Sequence, residues 1–273
     1  MSGPRLLARA IFSDTQPKSP TAAGVGSTLM DDALVRAVEL QPPEAGELRT
    51  GYPWDLPVVR GLADGLALHP AVTYLIGENG SGKSTLLEAL AVAAGMNPEG
   101  GSSNFAFATR ESHSPLHEAI RLIRGARRPR TDFFLRAESL FTAASYMEEL
   151  GEKALIPYGG RSLHEQSHGE AFLAVMVNRF GPDGLYILDE PEAALSAQNC
   201  LTFLRRVHEL VGQGSQFVIA THSPIVLAYP RATILACTDA GLEEVAYDDA
   251  EPVRLTRGFL ESPHAFLRAL LDD

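Results

Sequence analysis

Val72-Thr-Tyr-Leu-Ile is a short apolar run rich in β-formers, and it stops at Gly77. Gly80 and Gly82 follow at once. From there Leu86, Leu87, Leu90, Ala91 and Ala94 recur at helical spacing until Gly95 ends the run. The order is strand, glycine turn, helix. Gly77-Glu-Asn-Gly-Ser-Gly-Lys-Ser-Thr85 fits the pattern G-x-x-x-x-G-K-[ST]. Glycines let backbone N–H groups turn inward as an anion nest, and the helix adds its positive end. Lys83 would reach the β- and γ-phosphates of a nucleotide, Ser84 would ligate Mg²⁺, and Thr85 would support the α-phosphate. Asn79, Gly80, Ser81 and Gly82 complete the nest.

Two further apolar runs end in polar residues. Leu185-Tyr-Ile-Leu leads into Asp189 and Glu190. On a strand beside the phosphate loop, Asp189 would enter the Mg²⁺ shell and Glu190 would stand next to an attacking water. Phe217–Ala220 leads into Thr221 and His222. At a strand's carboxyl end, where ligands gather in parallel sheets, His222 would hydrogen-bond the γ-phosphate.

These runs and Thr233–Ala236 alternate with helical stretches, which predicts an α/β fold with a mostly parallel sheet flanked by helices. Ala33–Leu40 is expected to be a first strand and Leu242–Tyr247 an edge strand. Ser262-Pro263 has the form of a start to a last helix. Residues 1–30, rich in Ser, Thr, Pro and Gly, are expected to be disordered. Residues 105–166 read as a helical lobe inserted into a core made of 31–104 and 167–273.

Gly77–Thr85, Ser167-His-Gly-Glu170, Leu185–Pro191, Ala193–Ser196 and His222 stand in the order found in ATP-binding-cassette (ABC) ATPases. They resemble the Walker A loop, signature motif, Walker B strand, D-loop and switch histidine. The chain is similar to stand-alone bacterial AAA-family predicted ATPases of the RecF-like and SMC-like branch. The resemblance implies a P-loop NTPase of ABC type that hydrolyses ATP with Mg²⁺. It further implies a head-to-tail dimer in which Lys83 and Ser84 of one protomer face Ser167 and Gly169 of the other. Glu190, His222 and Lys83 would be catalytic, and Ser84 and Asp189 would hold the metal. Cassette proteins often place an aromatic under the adenine, and Trp54, near Tyr52, is the candidate; a packing role for Trp54 stays open.

The departures from the pattern narrow the partner. The signature reads Gln166-Ser-His-Gly-Glu170 rather than LSGGQ, and no glutamine lies between Gln41 and Gln166 to serve as a transporter's coupling glutamine. Phe105–His113 lies where that coupling loop is expected, with the roles of Arg110 and His113 open. The expected activity is a nucleotide-dependent switch acting on an unidentified protein partner. The alternatives are the ATP-binding subunit of a membrane transporter and a DNA-associated clamp in repair or defence. A net charge of −11 disfavours general nucleic-acid binding. Arg121, Arg124, Arg127, Arg128 and Arg130 form the one basic cluster, read as a solvated helix end or a partner-binding patch. No apolar run approaches the ~20 residues of a membrane span. With only two cysteines, Cys200 and Cys237, a cytoplasmic protein is expected.

Overall fold

The structure, a computed structural model, describes residues 32–43, 49–98, 101, 114–136 and 167–271. The chain opens with β1 (Val35–Leu40), a single helical turn α1 (Pro57–Arg60), a short β2 (Leu66–Ala67), β3 (Val72–Gly77) and α2 (Lys83–Ala94). A further turn, α3 (Leu116–Ala119), runs directly into β4 (Ile120–Arg124), and β5 (Thr131–Arg136) follows. The second half holds α4 (His168–Arg179), β6 (Gly184–Asp189), α5 (Ala197–Gly212), β7 (Gln216–Ala220), α6 (Pro224–Leu227), β8 (Ala232–Thr238) and β9 (Gly241–Val245). It ends in α7 (Glu251–Glu261) and α8 (Pro263–Leu271).

The main sheet has the order β5-β6-β7-β3-β8-β9. All its pairings are parallel except the hairpin of β8 with β9 at one edge. The central strands are apolar on both faces, as a sheet covered on both sides requires. Tyr74, Ile76, Tyr186, Leu188, Phe217 and Ile219 point into one core, where Phe172, Met176, Phe203 and Val207 of α4 and α5 cover them. The alternate residues Leu75, Leu185, Ile187 and Val218 enter the opposite core with Leu86, Leu87 and Leu90 of α2. This period of two, met by helices on each side, is what fixes the strand register.

A second, antiparallel sheet of order β2-β1-β4 flanks the α2 side. The buried amide of Gln216 ties the two sheets together. It accepts from the Val35 N–H at 2.8 Å and donates to the carbonyls of Val35 (2.8 Å) and His69 (3.0 Å), standing in for a missing strand neighbour.

Two expectations need correction. First, residues 105–166 are not helical throughout: within 114–136 only α3 is helical, and β4 and β5 are strands of the two sheets. Phe133, Phe134 and Leu135 look like a continuous apolar run, yet Phe134 faces one core while Phe133 and Leu135 face the other. Residues 105–113 and 137–166, including Arg110, His113, Leu140, Phe141 and Tyr146, lie outside the described residues, as does the segment 1–31. Second, the basic cluster is not a helix end. Arg121 and Arg124 are on β4, and Arg127, Arg128 and Arg130 lie on the connection to β5. Arg121 pairs with Glu39, Arg127 with Asp183 at 2.8 Å, and Arg130 with the same Asp183 at 3.6 Å. In the main sheet β7 lies between β6 and β3.

Candidate functional site

The glycines of the loop after β3 are required by its geometry. Gly82 has φ +96°, and a Cβ there would stand 2.6 Å from Val58 Cγ1. Gly77, at φ +148°, would bring a Cβ to 2.8 Å from the Cys237 carbonyl. Only glycine takes such a backbone without strain. Gly82 is also the N-cap of α2, so no side chain covers the first amides of that helix. Asn79 and Gly80 are exposed while Ser81 is buried. Lys83 is buried and folds back over the loop, its Nζ donating to the carbonyls of Gly77 (2.8 Å) and Glu78 (3.1 Å). Burial lowers its pKa, against the opposing pull of the nearby carboxylates Glu190, Asp189 and Glu192. A cavity of about 430 Å³ adjoins the loop, lined by Gly77–Ser81 on one side and by Cys237, Asp239, Asp249 and Glu251 on the other.

Asp189 ends β6 and is 5% exposed. Although β7 separates β6 from β3, Ser84 Oγ lies 3.2 Å from Asp189 Oδ1. The following residue, Glu190, sits in the left-handed region at φ +51°, with its N–H held by the Ala220 carbonyl at 3.0 Å. A non-glycine residue in that conformation is held there by its surroundings, and such positions cluster at functional sites. The turn aims Glu190 at the end of β7, where its Oε1 lies 3.6 Å from His222 Nε2. The structure thus brings Lys83, Ser84, Asp189, Glu190 and His222 to one edge of the main sheet.

Two residues at this edge escaped the sequence reading. Arg136 ends β5 in register with Asp189, its Nε 3.4 Å from Asp189 Oδ2 and its Nη2 3.2 Å from Glu88 Oε2 on α2. Burial raises the Asp189 pKa, and the Arg136 guanidinium opposes that shift. Glu192 accepts the His222 backbone N–H at 2.6 Å. Only the strand pairing of β5 with β6 brings Arg136 to this edge. For Glu192 the available signal was its place in the Asp189-Glu-Pro-Glu192 run.

Ser167 and Gly169 stand at the start of α4. Ser167 caps α4 in a reciprocal box, its N–H and Oγ both donating to Glu170 Oε2 at 2.9 and 2.7 Å. A Cβ on Gly169 would meet Asn199 Nδ2 at 3.0 Å and the Ala194 carbonyl at 3.1 Å, so the start of α4 rests on the segment after β6. Trp54 packs partly buried against the α2-side core, with the Arg49 guanidinium 4.9 Å over its ring. Tyr52 is 67% exposed, and its hydroxyl lies 3.4 Å from Thr85 Oγ1 at the far end of the loop.

Ser84 and Asp189 supply hydroxyl and carboxylate oxygens, the donors a hard divalent cation prefers. Among the described residues no group of three His, Cys, Asp or Glu side chains could hold a metal by itself. That donor set fits Mg²⁺, which keeps waters and takes its remaining ligands from substrate phosphates.

Residues 72–135 match the family model described as "AAA domain, putative AbiEii toxin, Type IV TA system". The match spans β3, the phosphate loop, α2 and β5. Over those residues the chain is similar to an AAA domain. Among solved structures, it is similar to cbiO1 from Clostridium perfringens, part of the ABC transporter complex cbiONQ. The identity there is 18%, over 85% of this chain and 97% of that one, with a TM-score of 0.45. It is also similar to the SMC head domain from Thermotoga maritima, at 16% identity over 77% of this chain and 98% of that one, with a TM-score of 0.41. No curated protein matches. Among the described residues, no helix is long and apolar enough to cross a membrane.

Proposed function

We propose that the chain hydrolyses ATP to ADP and phosphate, and that it does so as an ATP-sandwich dimer acting as a nucleotide-dependent switch on a protein partner. The observation that carries this reading is the convergence of the Ser84–Asp189 pair and the Glu190–His222 pair on one sheet edge, across the loop that carries Lys83.

In this reading the backbone amides of Asn79–Thr85 bind the phosphates, and Lys83 leaves its carbonyl partners for the β- and γ-phosphate oxygens. Ser84 and Asp189 would hold Mg²⁺, which would supply positive charge to offset that on those oxygens. Water attacks the γ-phosphorus, its proton passes to Glu190, and the bond to the ADP oxygen breaks. His222 donates a hydrogen bond to the γ-phosphate, while Glu190 keeps the water in line. The base lies toward Tyr52 and Trp54, beyond Thr85.

Ser167 and Gly169 meet the γ-phosphate of a second copy. The start of α4 offers that phosphate its backbone amides, provided Glu170 turns aside. Each γ-phosphate is then part of the interface, and hydrolysis loosens the dimer. The ion pairs of Arg121, Arg127 and Arg130 argue against a phosphate-binding role for that cluster, and so against the DNA-clamp alternative.

The test is phosphate release from Mg-ATP by wild type, by Ser167→Arg, by Lys83→Ala and by a mixture of the two variants. Each variant alone should be inactive. The mixture should regain part of the activity, because one composite site has an intact loop and an intact signature segment. Full activity of Ser167→Arg alone rules out the sandwich.

A further inference from the structure

We propose that Arg136 is a positioning residue for the metal site: it orients the Asp189 carboxylate so that one oxygen faces Ser84 and a bound divalent cation. This inference rests on the ATP-site reading above and assigns a role that neither the phosphate loop nor the strand-end carboxylates carry.

The argument begins with the two oxygens of Asp189, which are divided between two partners. Oδ1 faces the Ser84 hydroxyl at 3.2 Å, and Oδ2 faces Arg136 Nε at 3.4 Å. The contact on Oδ2 is an ion pair rather than a hydrogen bond, and a carboxylate that faces a fixed cation on one oxygen presents the other in a defined direction, as outer partners do when they tune a metal ligand. The guanidinium is itself fixed on three sides. Its backbone is in register with Asp189 on the neighbouring strand, its Nη2 donates to Glu88 Oε2 at 3.2 Å, and its Cζ lies 5.6 Å from the centre of the Phe134 ring. Glu88 stands one turn beyond Ser84 on α2. Arg136 therefore links the strand carrying Asp189 to the helix carrying Ser84, and a shift of either element alters the gap between the two metal-facing oxygens.

The planar fork of arginine suits this place, because one side chain engages two carboxylates in different directions.

Mn²⁺ serves as the probe, read by its electron paramagnetic resonance signal on the full chain with ADP present. Nucleotide affinity in excess chelator is measured alongside by fluorescence of a labelled ADP. Arg136→Ala should weaken Mn²⁺ binding about 10–100-fold and leave metal-free nucleotide affinity unchanged. Arg136→Lys, a milder change that guards against loss of the fold, should fall between the alanine variant and wild type, because an ammonium keeps the charge but not the fork. Unchanged or tighter Mn²⁺ binding in Arg136→Ala overturns the proposal; tighter binding would mean that Arg136 competes with the metal. Wild-type affinity in Arg136→Lys overturns the orienting role in favour of charge alone. If wild type binds no nucleotide, with or without Mn²⁺, the ATP-site reading and this inference fall together. Normal nucleotide binding with an unaffected Mn²⁺ signal removes only the role of Arg136.

Discussion

Glu190 and His222 face each other at 3.6 Å from the ends of two adjacent parallel strands, Glu190 on a left-handed backbone and His222 held through its N–H by Glu192. Replacing Glu190 by Gln keeps the size of the side chain and removes the proton acceptor. Turnover should fall by about 10²–10⁴, while Mg-ATP binding survives because Lys83, Ser84 and Asp189 are untouched. Stopped-flow phosphate release gives the rate. Light scattering with Mg-ATP should show a dimer accumulating in this variant.

Glu192 offers a sharper probe of the same histidine. Glu192→Ala removes the acceptor for the His222 N–H, whereas Glu192→Gln retains a carbonyl oxygen there. The alanine variant should lose activity mainly in kcat, and the glutamine variant should recover much of it. Equal activity in both would mean that the backbone anchor of His222 does not matter.

Gly82→Ala tests the loop as built. The left-handed φ of +96° and the 2.6 Å approach to Val58 both oppose a methyl group. The substitution should cost more than about 1 kcal/mol of stability, read as a lowered Tm by calorimetry.

Arg127 belongs to the fold rather than to a nucleic-acid surface. It pairs with Asp183 at 2.8 Å and donates to the Asp32 carbonyl at 2.7 Å. Arg127→Ala should lower Tm by about 2–4 °C. No salt-dependent binding of duplex DNA should be seen in wild type or variant by fluorescence anisotropy.

Cys237 lies beneath the loop, and burial pushes its thiol up to about 11 although Lys83 and Ser81 pull the other way. The thiol therefore stays protonated until the pH approaches that value. At pH 8 its thiolate fraction is roughly 100-fold below that of a cysteine at its ordinary pKa near 9. Iodoacetamide should leave Cys237 unmodified in the native protein and modify it in denaturant, as peptide mass mapping will show.

The elements legible in the sequence were those with one unambiguous period. β3, α2, β6, β7 and β8 each carry an apolar run bounded by glycine or polar residues, and each forms within a few residues of its expected range. The phosphate loop was legible because its chemistry needs glycine at fixed offsets. The strand β5 was hidden, since Phe133, Phe134 and Leu135 serve two cores at once and such a run reads equally well as a buried helix. α5 was legible as a helix but not in its phase. Cys200, Phe203, Val207 and Leu210 form its buried stripe, whereas Leu201, at helical spacing from Leu204 and His208, is 52% exposed. Arg136 was invisible for a different reason: its partners Glu88 and Asp189 are brought to it by strand order and helix placement, which no local spacing encodes.

The strand order also bears on when this protein can begin to work during synthesis. β3, which carries the phosphate loop, pairs only with β7 and β8, and both come from the last third of the chain. A nascent chain that has emerged only as far as α5 holds the whole loop, the signature segment and both strand-end carboxylates of β6, yet both edges of β3 are bare. The loop has no sheet to anchor it and His222 has not been made. Domains fold as units as the ribosome releases them, and an unpaired apolar strand is an aggregation hazard while it waits. Nucleotide binding should therefore appear abruptly once β8 has cleared the exit tunnel. A stop codon anywhere between α2 and β7 leaves a product with every phosphate-loop residue and no site.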